Sequence, residues 1–175
     1  MVEKKVKFNC IQSLKEAGAP VIIVTLPEEA EAIANACQDN NIAVSAFCDN
    51  ETRKLQKNYC GLEVIHTPTL PKRFPKARLI IAYHNMQESV NQLSALGYDE
   101  FYSPLELLKN YDVSKHKHRI SQSYMQNKIS ICIKSHELYL NETKTYMRSL
   151  DIMITTKCSM KCESCAKQLY TLLSG

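Results

Sequence analysis

The chain has 175 residues, 45% hydrophobic and 23% charged, with a formal net charge of +4. That length holds one full domain and at most the opening of a second, and the apolar content builds a core without disulfides. The mild, scattered charge argues against a nucleic-acid partner. The lack of a long apolar run argues against a membrane partner. Met1 to Lys7 is charged with no apolar stretch behind it, so it does not read as a secretory signal and the expected location is cytoplasmic.

From residue 20 onward, strand and helix patterns alternate. Val21 to Thr25 is a short β-branched run suited to a buried parallel strand, and Pro27 to Gln38 follows with helical spacing. The expected inner face of that helix is Ala30, Ile33, Ala34 and Cys37. Ile42 to Cys48 reads as a second strand, broken by the turn chemistry of Asp49-Asn50-Glu51. Leu62 to His66 gives a third, and Arg78 to Tyr83 a fourth. Met86 to Leu96 is a helix ended by Gly97, and Asp99 to Tyr102 a final edge strand. Ser103 and Pro104 open a further helix, with Ser as the cap and Pro at the first helical position.

Alternation of this kind predicts an α/β fold, a small doubly wound, mostly parallel, Rossmann-like sheet over residues 1–112. The first strand-to-helix turn, Thr25-Leu26-Pro27-Glu28-Glu29, has no glycine, and its two carboxylates would repel a pyrophosphate at the helix start. Dinucleotide binding in the usual manner is therefore not expected. His66 and His84 stand at strand ends, where such sheets place ligand groups, but each alone reads as structural or exposed.

Residues 113–145 read as a linker. Its basic stretch, Lys115-His116-Lys117-His118-Arg119, is too short for a nucleic-acid face and reads as solvated. Val113 to Lys128 is polar and at most loosely helical, and Ile129 to Leu140 suits a helix or a strand.

The chain contains eight cysteines. Cys10, Cys37, Cys48, Cys60 and Cys132 are dispersed beside apolar segments and read as small buried hydrophobes. Cys158, Cys162 and Cys165 are compressed into one C-x3-C-x2-C loop. At this cysteine content chance supplies roughly 0.016 such matches per chain, so the spacing calls for a chemical reason. The loop follows Leu150 to Thr156, a run of strand character, and precedes Ala166 to Leu173, which reads as a helix start. Three close thiolates suit an iron–sulfur cluster. Structural zinc wants four ligands, and the nearest histidine is His136 on another segment, so zinc is the weaker reading.

This strand, cysteine loop and helix resemble the opening of the radical S-adenosylmethionine superfamily core. The resemblance implies a [4Fe-4S] cluster on Cys158, Cys162 and Cys165, one of whose irons chelates S-adenosylmethionine. Reductive cleavage of the sulfonium would then yield a 5′-deoxyadenosyl radical that abstracts hydrogen from substrate. It further implies an electron donor such as a flavodoxin or ferredoxin, and a small-molecule or peptide substrate. Ser164 stands where the family often has an aromatic residue against the adenine. Residues 146–175 correspond to the first strand and cluster loop of the family's barrel, with ten residues after Cys165. The chain is therefore expected to be the N-terminal portion of such an enzyme, inactive by itself. The alternative is a non-catalytic α/β binding or interaction module with a cysteine-rich tail holding zinc or no metal.

A second resemblance covers about half the chain. Val44 to Asn50, the Gly61-Leu62-Glu63-Val64 turn, Leu96-Gly97-Tyr98 and Ser103 to Leu108 are similar to Rossmann-like domains attached to sugar-modifying bacterial enzymes. That resemblance has Asp49 facing a ribose, whereas its place after a strand reads as a turn aspartate.

Overall fold

A computed structural model describes residues 8–15, 18–51, 58–83 and 85–141. The chain divides into two units, Met1–Lys144 and Thr145–Gly175, and every described residue belongs to the first.

The described unit is α/β. Six strands form one all-parallel sheet: β1 (Phe8–Asn9), β2 (Val21–Val24), β3 (Val44–Asp49), β4 (Val64–His66), β5 (Arg78–Ile81) and β6 (Phe101–Tyr102). The helices are α1 (Ala30–Asp39), α2 (Leu70–Arg73), α3 (Met86–Ala95), α4 (Leu105–Lys109) and α5 (Gln122–Leu140). The strand order is β1-β6-β5-β2-β3-β4. From β2 the chain winds outward through β3 to β4, then returns to lay β5 on the other side of β2. The winding therefore reverses between β2 and β5, the switch point of a doubly wound sheet.

Strand periodicity distributes the apolar side chains to two cores. Val21, Ile23, Phe47, Val64, Ile80 and Tyr102 pack on one face with α1, α4 and α5. Ile22, Val24, Cys48, Ile65, Leu79 and Phe101 pack on the other with α2 and α3. β2 is buried at all four positions, which is why it carries Val-Ile-Ile-Val with no polar alternation. Each such side chain contributes about 1.5–3 kcal/mol by leaving water.

Several expectations meet a different outcome. β6 is not an edge strand: it pairs with β5 and with β1, and β1 takes the edge. Within α1 the buried face is Ala30, Ile33, Ala36 and Cys37, with Ala34 half-buried. Pro104 stands at the cap of α4, one position earlier than expected. The largest difference lies in the expected linker. Its second half is a single 19-residue helix, α5, whose Met125, Ile129, Cys132 and His136 are buried. Ser121 caps α5 by accepting the Tyr124 amide.

Candidate functional site

Cys158, Cys162 and Cys165 lie outside the described residues, as does His84. The site that can be built is the carboxyl edge of the sheet at the switch point, where open α/β sheets bind ligands.

The turn after β2 begins with Thr25 in the left-handed region, φ 65°. Its amide donates to the Cys48 carbonyl at 2.7 Å and its hydroxyl to the Val24 carbonyl at 2.6 Å. The next amide, Leu26 N, donates to Asp49 Oδ2 at 2.8 Å, while Asp49 Oδ1 accepts the Glu51 amide at 2.7 Å. Asp49 is buried and ties two loops together, the role of a turn aspartate. An amide that a nucleotide phosphate would want is engaged within the chain. The start of α1 is acidic: Glu29 is buried at its cap position, and Glu28 pairs with Lys128 of α5 at 3.0 Å.

α5 then runs over this edge. Cys132 Sγ lies 3.8 Å from the Ala82 carbonyl, just past β5. One turn later His136 Nδ1 meets Ser103 Oγ at 2.8 Å, just past β6. Tyr139 reaches the opposite face, donating to Gln87 Oε1 of α3 at 2.9 Å and meeting Phe8 edge-on at 5.8 Å. The helix places its own side chains over the ends of β5 and β6. Burial holds His136 neutral by lowering its pKa from 6.5 to about 4. Burial, and then the nearby Glu29, push the Cys132 thiol well above its ordinary range. Ser103, Cys132 and His136 are nucleophile and base types brought together, yet all three are buried and His136 is wholly inaccessible. Their arrangement packs and orients the helix.

Of the five dispersed cysteines, Cys37, Cys48 and Cys132 are buried as expected; Cys10 and Cys60 are exposed. Cys60 and Gly61 form the tip of a tight hairpin, both at positive φ (51° and 77°), with Tyr59 and Leu62 exchanging amide bonds of 2.8 and 2.9 Å. This is the geometry of a two-residue turn with both central residues left-handed. His66 ends β4, half-buried, and its carbonyl accepts the Thr69 hydroxyl at 2.8 Å. Among the described residues no three His, Cys, Asp or Glu side chains are grouped to hold a metal ion. Among them, too, no helix is long and apolar enough to cross a membrane.

Sequence reasoning missed His136 as a site residue because a lone histidine in an ambiguous segment carries no signal. Its spacing from Met125, Ile129 and Cys132 at helical intervals was the available clue. The chain matches no family model, no curated protein and no solved structure.

Proposed function

We propose that the chain is a portion of a radical S-adenosylmethionine enzyme, with the α/β unit as an accessory domain beside a cluster loop at Cys158, Cys162 and Cys165. The observation that carries this reading is the C-x3-C-x2-C spacing between a strand-like and a helix-like segment. The donor set fits a cluster: three soft thiolates at loop spacing, with no fourth cysteine or histidine in the loop sequence. A [4Fe-4S] cluster on three cysteines would leave one iron for S-adenosylmethionine and supply the electron for its reductive cleavage. Cys158, Cys162 and Cys165 would anchor it from a single loop, with reducing equivalents from a flavodoxin- or ferredoxin-like donor in the cytoplasm. Its substrate would be a small molecule or a peptide. The crossing of the carboxyl edge by α5 supports an accessory rather than a nucleotide-binding role for the α/β unit.

Anaerobic reconstitution of the chain with iron and sulfide tests the reading. It expects about four irons per chain and a brown chromophore, both lost in Cys162→Ala. A colourless protein that takes up zinc instead overturns it. That outcome would favour the second reading, a non-catalytic interaction module with a cysteine-rich tail, to which the occupied carboxyl edge also lends support.

A further inference from the structure

Arg119, the last residue of the basic stretch, is held in place rather than left in solvent. Its backbone amide lies 3.5 Å and its Nε 3.6 Å from Glu31 Oε2 of α1. Its guanidinium sits over the Tyr59 ring, 3.9 Å from the centroid. Tyr59 is itself fixed, edge-on to buried Phe47 at 4.9 Å. The Arg119 side chain nevertheless stays 58% exposed, whereas that of Glu31 is 11% exposed. An ion pair this open adds little stability, so a guanidinium fixed at two points yet facing solvent suits recognition.

The pair opens into a cleft of about 410 Å³ beside the turn after β2. Small-molecule sites begin at roughly 300 Å³ and combine an apolar lining with a few placed charges. Here Leu26, Pro27 and Ile120 supply the apolar wall and Tyr59 the aromatic one. Glu28, also on the wall, is paired with Lys128 at 3.0 Å. The cleft therefore presents one charge couple, Glu31 beside Arg119. A simple anion would meet the carboxylate and a simple cation the guanidinium. A zwitterion meets each with the opposite sign.

We propose that this cleft binds a free α-amino acid with an aliphatic side chain. Its carboxylate pairs with Arg119, its ammonium with Glu31, and its side chain lies against Leu26, Pro27 and Ile120. Spacing selects the α-isomer. The amino nitrogen and carboxyl carbon of an α-amino acid stand about 2.5 Å apart. That suits two protein charges set side by side at 3.6 Å. An ω-amino acid of the same formula must curl back to close both contacts, at a cost in chain entropy. The site lies within the α/β unit and does not rest on the cluster reading.

Titration of the isotope-labelled full chain, read by NMR without iron or cofactor, tests the site. L-Leucine should shift the amides of Glu31, Arg119 and Ile120 saturably at about 1 mM. Leucinamide, isocaproate and ε-aminocaproate lack the carboxylate, the ammonium and the spacing in turn. Each should bind at least about tenfold more weakly than leucine. In Arg119→Gln leucine should lose its advantage over leucinamide, while α3 amides keep their wild-type positions. No saturable shift from leucine at about 10 mM overturns the proposal. So does ε-aminocaproate that binds as well as leucine, or an advantage over leucinamide that survives in Arg119→Gln.

Discussion

Asp49 and Leu26 are joined by a buried hydrogen bond of 2.8 Å, carboxylate to backbone amide, that ties the end of β3 to the turn after β2. The same carboxylate accepts the Glu51 amide, so one side chain organises both loops at the switch point. Removing it in Asp49→Ala strips the acceptor from a buried amide and is expected to cost about 1–3 kcal/mol. Asp49→Asn keeps one carbonyl oxygen and should cost less. Urea unfolding of the two variants checks the order.

His136 gives the unit a pH-dependent stability of definite sign. Its folded pKa, about 4, lies below the 6.5 of the unfolded chain, so between those values the unfolded state binds the extra proton. Its contribution is fully present above pH 6.5 and is lost as pH falls through 4. The loss amounts to at most about 3 kcal/mol. His136→Gln, uncharged throughout, should flatten this slope in denaturation curves taken from pH 7 to 4.

Ile129 tests whether α5 is structural. In a linker, Ile129→Ala would change stability by no more than about 0.5 kcal/mol. Buried in the core with Met125 and Cys132, it is expected to cost about 2–5 kcal/mol, read as a lower unfolding midpoint.

Thiol labelling reports the same architecture. Burial pushes Cys37 and Cys48 up to about 12 and raises Cys132 further, so all three should resist alkylation until the unit unfolds. Cys10 and Cys60 are exposed and should label in the native state. Peptide mapping after brief alkylation distinguishes the two sets; early modification of Cys132 would contradict the packing of α5.

The strands that could be read in advance were those whose burial is written locally. β2 is an unbroken apolar run, and β5 is apolar from Leu79 onward, because both faces are covered there; Gly97, at φ 92°, closes α3 as its position implied. β1 has only two residues and exists through pairing with β6, which no local pattern records. α5 was hidden because its apolar run is too short to separate helix from strand, and His136 in its buried stripe is a residue type that reads as surface. At the site, the turn role of Asp49 followed from its place after a strand, whereas the burial of His136 required knowing where α5 lies.

Both border strands of the sheet are short, two residues in β1 and three in β4. An open parallel sheet invites another chain to extend it, since a border strand offers unpaired amides and carbonyls in register. Borders this brief give an incoming strand few hydrogen bonds to gain, so aggregation by edge-to-edge stacking is disfavoured. The fold thus keeps its longest strands, β2, β3 and β5, in the interior of the sheet, away from other copies of the chain.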